Sequence, residues 1–336
     1  MSSTSRIPGF YRRSVLERLK LLVERDVLSQ DDYEILRKGH NVVGGDEADH
    51  LIENVIGVHG LPLGLGLNFV VNEKEYVVPM VVEEPSIVAA VSSAAKTVRA
   101  GGGFCCRSMQ PTLIGQIQVV DVSDATIAKE TVLEHKAEIL DLANSLHPNM
   151  VARGGGARDL EINLHPPTST SPEMFIVHLL VDTRDAMGAN LVNSMCEEVA
   201  PLIEDLTGGN VFLRILSNLA DHSMVVAEAV IPLEELARDG YSGEEVRDGI
   251  ILANQFAEVD SYRAATHNKG VMNGIDAVAL ATGNDWRAIE ASAHAYASQH
   301  GSYRSLTRWW RAESGDLAGA LELPLKVGTV GGQIQS

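Results

Sequence analysis

The spacing of apolar residues changes period several times along the chain, and each change marks an element. Ser14-Val-Leu-Glu17 is a capping box ahead of an amphipathic run, predicting a helix to about Arg25. Ser29 with Asp32 opens a second helix, which Gly39 can stop. Gly66 to Val71 and Tyr76 to Val82 read as two strands around the turn Asn72-Glu-Lys-Glu75. Pro85 suits the first turn of the next helix, Ser86 to about Arg99, because its missing N–H is an unpaired position there anyway. That helix is rich in Ala and Ser, so a neighbour can approach closely, and Gly101-Gly-Gly103 ends it.

The middle third has a different rhythm. Leu113 to Val122 alternates as a strand, and Ala125 to Leu146 has helical periodicity. Ala157 to His165 and Met174 to Val181 are strands joined by the Pro/Ser/Thr-rich turn 166–172. Gly188 to Leu206 is helical and Val211 to Leu216 is a strand. The order β-α-β-β-α-β is the split ferredoxin-like arrangement. The expected fold is therefore α/β (α+β): residues 111–218 form a small domain inserted into a large mixed one made of 1–110 and 219–336. Further on, Met224 to Ile231 is a strand, Ser242-Gly-Glu-Glu245 caps a helix to about Ala257, and Trp286 to Ser298 is helical. Leu321 to Val327 is a short strand that Pro324 restricts to a sheet edge.

Charge narrows the choice of partner. The balance is 27 Lys and Arg against 45 Asp and Glu, net −18, which opposes nucleic acid and anionic membrane as ligands. Any phosphate must be held by local donors against that field. Cys105, Cys106 and Cys196 show no metal-ligand spacing; the adjacent Cys105-Cys106 could be redox-active, but all three read better as buried small hydrophobes, and the scattered histidines give no metal motif. No apolar stretch has the length of a membrane span, so a reducing cytoplasm is the expected home.

Two places carry candidate chemistry. Arg263-Ala-Ala-Thr-His-Asn-Lys269-Gly-Val-Met-Asn273-Gly-Ile-Asp276 is followed by Gly283-Asn-Asp285-Trp286, a lysine and acids in small, apolar surroundings. Such charges are costly unless paired with each other or with a substrate. Val82-Glu83-Glu84-Pro85-Ser86 adds carboxylates at a helix entry, and Glu84, Lys269 and Asp285 together suit carbonyl reduction. The second place is Asp185-Ala186-Met187-Gly188-Ala189-Asn190, where a strand gives way to a helix whose free N–H groups could take a pyrophosphate. A glycine turn with an Asx cap explains the same residues without a ligand. No G-x-G-x-x-G is present. Trp309-Trp310 could stack on an adenine or serve helix packing.

Taken in order, the runs Glu53-Asn-Val-Ile-Gly57, Val82 to Ser86, Gly154-Gly-Gly-Ala-Arg-Asp159, Asp185 to Asn190, Arg214 to Asp221, Arg263 to Gly270 and Gly283 to Trp286 resemble class II hydroxymethylglutaryl-coenzyme A reductases, the bacterial and archaeal class. The resemblance implies two hydride transfers between hydroxymethylglutaryl-CoA and mevalonate plus CoA, at sites shared within a homodimer or a higher oligomer. It implies Lys269 at the developing alkoxide, Glu84 as general acid and Asp285 coupling the two. It also implies Ser86, Arg263, Asn273 and Asn218 on the acyl part of the substrate, and Asp185 to Asn190 with His147 on the dinucleotide. Tyr11, Arg12 and Arg13 would meet the CoA phosphates. No metal is implied.

Two departures accompany it. The family carries a C-terminal flap with a catalytic histidine, and this sequence reaches Gly331-Gly-Gln-Ile-Gln-Ser336 without that motif. The expectation is a mobile segment beyond Ser336, with this form reducing mevaldehyde better than the thioester. The alternative is a catalytically reduced, CoA-ester-binding member of the family. Secondly, Ser145-Leu-His147-Pro-Asn149 lacks the acid that bonds adenosine ribose hydroxyls in NADH-preferring relatives, and Arg153 follows. Either NADH or NADPH is admissible, and the lack of the acid favours NADPH.

Overall fold

Local signals near the N-terminus act as read. In the computed structural model, which describes residues 4–39 and 43–329, Ser14 caps α1 (Val15–Glu24), and the Glu17 carboxylate returns to the Ser14 amide at 2.7 Å. Residues 331–336 lie outside the described part. Ser29 and Asp32 repeat that box for α2 (Gln30–Lys38), which ends at left-handed Gly39. A single turn, α3 (Gly45–Ala48), follows. Strands β1 (Leu63–Val71) and β2 (Lys74–Val81) pair antiparallel through Asn72 and Glu73, both with positive φ, the turn geometry that matches strand twist. Helix α4 (Ile87–Ala100) packs on β1. Pro85 stands in the turn before this helix rather than inside it, because Ser86 is the N-cap at φ 71°. Arg99 of α4 and the hydroxyl of Ser5 (2.7 Å) both hold Glu75, clasping the N-terminal segment to the hairpin.

After β3 (Cys105–Ser108), the chain builds its largest core. Strand β4 (Thr112–Val120), α5 (Ala125–Glu134), α6 (Lys136–Ser145), α7 (Pro148–Ala152), β5 (Gly156–His165), β6 (Met174–Asp182), α8 (Ala189–Thr207) and β7 (Asn210–Leu216) follow in order. Their sheet runs β5-β6-β4-β7 with every neighbour antiparallel, the ferredoxin-like arrangement. Ile117, Val119, Phe175, Val177, Met195 and Ile203 pack between this sheet and its helices, at most 1% exposed. The helical run 125–146 resolves into α5 and α6, because His135 leaves helical geometry at φ −93° and ψ 12°.

Then come β8 (Met224–Ile231), α9 (Leu233–Leu236), α10 (Gly243–Val259), α11 (Ser261–Ala281), α12 (Trp286–Ala297), β9 (Thr307–Arg311) and β10 (Leu317–Pro324). The third sheet is ordered β3-β8-β10-β9, which overturns three expectations. First, β10 is an inner strand: Pro324 is its last residue and β9 stops pairing at Leu321, so the missing N–H leaves no gap in that ladder. Second, Trp309 and Trp310 lie on a strand, not a helix. Third, Cys105 is exposed and Cys106 half-buried on the edge strand β3, while Cys196 is fully buried under β4.

Helix α11 is the element that periodicity does not announce. Its polar residues look like a turn, yet several of them stitch it to the strand side. Asn268 donates to Arg304 O at 2.8 Å and accepts from Leu306 N at 2.9 Å, and His267 meets Thr307 Oγ1 at 2.7 Å. Among the described residues no helix is long and apolar enough to cross a membrane.

Candidate active site

The link between β2 and α4 carries Glu84, and the third turn of α11 carries Lys269. Their side chains meet, Nζ against Oε2, across 185 positions of sequence. Neither is buried by this chain: the side chains are 60% (Lys269) and 42% (Glu84) exposed, so the enclosure expected from the sequence is not supplied by these residues alone. Asp285 makes its contacts with other residues. It caps α12 by accepting from the Ala288 amide at 3.2 Å, and it lies 3.4 Å from Arg287. Among the described residues it bonds neither Lys269 nor Glu84.

The substrate-side candidates divide similarly. Ser86, two residues after Glu84, is exposed in a left-handed conformation. Asn273 is one helical turn beyond Lys269 on the same face. Arg263 is six residues before Lys269, rotated by about 120° around the helix, and Asn218 is exposed in the loop after β7. A cavity of about 1200 Å³ opens beside the pair, lined by Tyr11, Arg18, Glu84, Ser86 and Lys96 with apolar walls from α1 and β1. Arg12 lies over the Tyr11 ring at 5.3 Å, and both it and Arg13 are exposed near the rim.

At the other candidate place, Asp185 to Asn190 forms the entry to α8. Arg184 (φ 50°) and Gly188 (φ 81°) are both left-handed, and a Cβ on Gly188 would collide with Thr183. No side chain caps α8, and its first intrahelical amide among the described residues is that of Val192, bonded to Gly188 O at 3.0 Å. The preceding amides therefore have no intrahelical acceptor, as a bound anion requires. His147 Nε2 and Arg184 Nε nearby are buried without hydrogen-bond partners. Both Arg184 and Arg158 reach the Gly154 carbonyl. Unpaired amides and cationic donors at a helix start fit a dinucleotide. Among the described residues no group of three or more His, Cys, Asp or Glu could hold a metal ion.

One titrating residue escaped sequence reasoning. Asp276, two turns past Lys269 on the same face of α11, has a buried Oδ1 with no partner. Burial, and then a hydrogen bond with Glu290, push its carboxyl up to about 7. Glu290 in turn contacts His294 Nε2 at 2.5 Å, and His294 Nδ1 meets the Tyr303 hydroxyl at 2.7 Å. The i, i+4, i+7 spacing from Lys269 through Asn273 would have pointed to Asp276 once the segment was known to be helical. A carboxyl raised above its unfolded value keeps its proton in the folded state where the unfolded chain has lost it. Stability therefore falls as pH rises from about 4 to about 7, then levels off. Asp276→Asn is expected to flatten that slope, raising Tm by about 2 °C at pH 8 relative to the unsubstituted protein. Thermal melts of both proteins at pH 5 and pH 8 check this; parallel slopes would contradict it.

Comparison with known proteins places these motifs. Residues 14–336 match the family model described as hydroxymethylglutaryl-coenzyme A reductase. The 3-hydroxy-3-methylglutaryl-coenzyme A reductase of Archaeoglobus fulgidus is 49% identical over 330 residues, 98% of this chain and 73% of its own length. The probable enzyme of the same name from Borreliella burgdorferi is 35% identical over 328 residues, 97% of this chain and 72% of its own. Among solved structures, the class II 3-hydroxy-3-methylglutaryl-CoA reductase from Streptococcus pneumoniae, bound to NADPH in open conformations, superposes with TM-score 0.93 at 45% identity. The match covers 97% of this chain and 88% of that one. With a family model spanning almost every residue and relatives this similar over most of their length, the chain belongs to the hydroxymethylglutaryl-coenzyme A reductase family of oxidoreductases, in its class II branch.

Proposed function

We propose that the chain reduces hydroxymethylglutaryl-CoA to mevalonate and CoA in two steps, through a hemithioacetal and mevaldehyde. The contact between Lys269 and Glu84, drawn from distant parts of the sequence, with Glu84 in the wall of the large cavity, carries this reading. The nicotinamide, when bound, supplies the hydride for each reduction. Lys269 presents a fixed cation where the carbonyl oxygen gains charge, so little reorganisation is needed as the charge forms. Glu84, already in contact with that ammonium, is placed to give the aldehyde oxygen its proton. Asp285 is the third member on family resemblance alone.

Ser86 and Asn273 adjoin the pair along their own elements, with Arg263 and Asn218 completing the grip on the acyl part. The cavity takes the CoA arm, with Tyr11 in its wall and Arg12 and Arg13 meeting its phosphates. Residues 111–218 act as the dinucleotide domain, with Asp185 to Asn190 and His147 as its ligand-facing part, and 1–110 with 219–336 as the substrate domain. Arg184 and Arg158 beside Gly154, without an acid after α6, favour NADPH. The working unit is a homodimer. Ile52, Ile56, Leu252, Phe256, Val259 and Tyr262 are each more than half exposed, and a second copy over such apolar side chains would also exclude water from Lys269 and Glu84.

The test measures NADPH consumption and thiol release with hydroxymethylglutaryl-CoA, alongside NADPH consumption with mevaldehyde. Turnover of mevaldehyde supports the reading. CoA-ester binding without consumption of either substrate would favour a non-catalytic family member instead.

A further inference from the structure

A short segment after β10 ties the two candidate places together. Gly328 N donates to Asn284 Oδ1 at 2.8 Å, next to Asp285, and Thr329 N donates to Asp185 O at 2.7 Å. Between these and the strand, Lys326 turns inward. Its ammonium donates to Ala186 O at 2.6 Å, to Val327 O at 3.1 Å and, more weakly, to Arg184 O at 3.4 Å. Asp182 and Asp185 supply the nearby negative charge, while burial works against the ammonium.

We propose that Lys326 is a positioning residue for the dinucleotide, holding the carbonyls of the 184–186 turn away from the phosphate site so that the amides entering α8 face it. The peptide geometry supplies the reason. No peptide here is cis, so in the unit joining Ala186 to Met187 the C=O and the N–H point in opposite directions. Anchoring Ala186 O on Lys326 therefore fixes the direction of the Met187 N–H. Left-handed Gly188 then delivers the chain into α8. Lys326 spends its donors on carbonyls, so it acts through the turn and does not itself grip a phosphate. Gly328 enforces the fit from behind: a Cβ there would lie 2.6 Å from Met187 N.

This inference rests on the dinucleotide reading of Asp185 to Asn190, and the test separates the two. NADPH and mevalonate binding are titrated for the unsubstituted protein, Lys326→Met, Lys326→Arg and Gly328→Ala, each with a thermal melt. Lys326→Met is expected to raise the Kd for NADPH about tenfold, with the Kd for mevalonate unchanged and Tm preserved. Gly328→Ala is expected to give the same split by pushing the segment off the turn, and Lys326→Arg to restore most of the affinity. An unchanged NADPH Kd in a folded Lys326→Met protein overturns the inference. So does a parallel loss of both ligands with a lowered Tm, which is what a purely structural residue gives. If the unsubstituted protein binds no NADPH, the dinucleotide reading itself falls, and this inference with it.

Discussion

Lys269→Met is expected to lower kcat for mevaldehyde reduction by about 10²–10³-fold while changing KM little. Methionine keeps most of the apolar stem of the side chain and removes the ammonium group with its charge and donors. In the proposed mechanism the ammonium faces an oxygen that is neutral in the bound aldehyde and negative only as hydride arrives, so its loss would be felt in the transition state. Because the Lys269 side chain is 60% exposed and its partner Glu84 is 42% exposed, removing the pair should move stability by no more than about 0.5 kcal/mol. Steady-state kinetics with saturating NADPH, accompanied by a thermal melt, separates chemistry from folding. A kcat within threefold of the unsubstituted protein would remove Lys269 from the chemistry.

Phe175→Ala should produce the largest loss of stability, about 3–5 kcal/mol. Phe175 is 1% exposed on β6, opposite Val119 of β4 and Leu164 of β5, beneath the helices of the ferredoxin-like unit. Truncation leaves a void that interdigitated neighbours on both flanking strands cannot close by small shifts. The expected readout is a thermal transition lowered by on the order of 10 °C. Weaker NADPH binding at temperatures below that transition should accompany it, since β6 ends at the Asp182–Asn190 turn. An unchanged melting curve would mean that the core closes around the gap.

Elements whose sequence repeats at one clear period were legible. The capping boxes at Ser14, Ser29 and Ser242 and the alternation of β4, β5 and β6 gave boundaries within a few residues. Helix α11 was not legible, because Asn268 and His267 satisfy their hydrogen bonds against residues 304–307, a contact that no local pattern encodes. Nor was β9, five residues long, or the inner place of β10, since the order of strands depends on pairings distant in sequence. At the site, residue types and the expectation that Lys269 would pair with an acid were readable, whereas which elements bring them together was not. The meeting of Glu84 with Lys269 depends on how α11 crosses β2, and Asp276 became visible only through its burial.

The clasp of Ser5 and Arg99 on Glu75 has a consequence for how the molecule meets acid. The hydrogen bond from Arg99 holds the Glu75 carboxyl well below the usual carboxylate range, so its contribution is complete above about pH 4.5 and fades only as pH falls beneath that. Thr4 and Ser5, and with them Arg6 to Tyr11 in the wall of the large cavity, thus stay fastened throughout the neutral range. Mild acidification would leave the vestibule proposed for the long arm of the thioester undisturbed. The carboxyl pushed up toward neutrality is that of Asp276, in the α11–α12 seam.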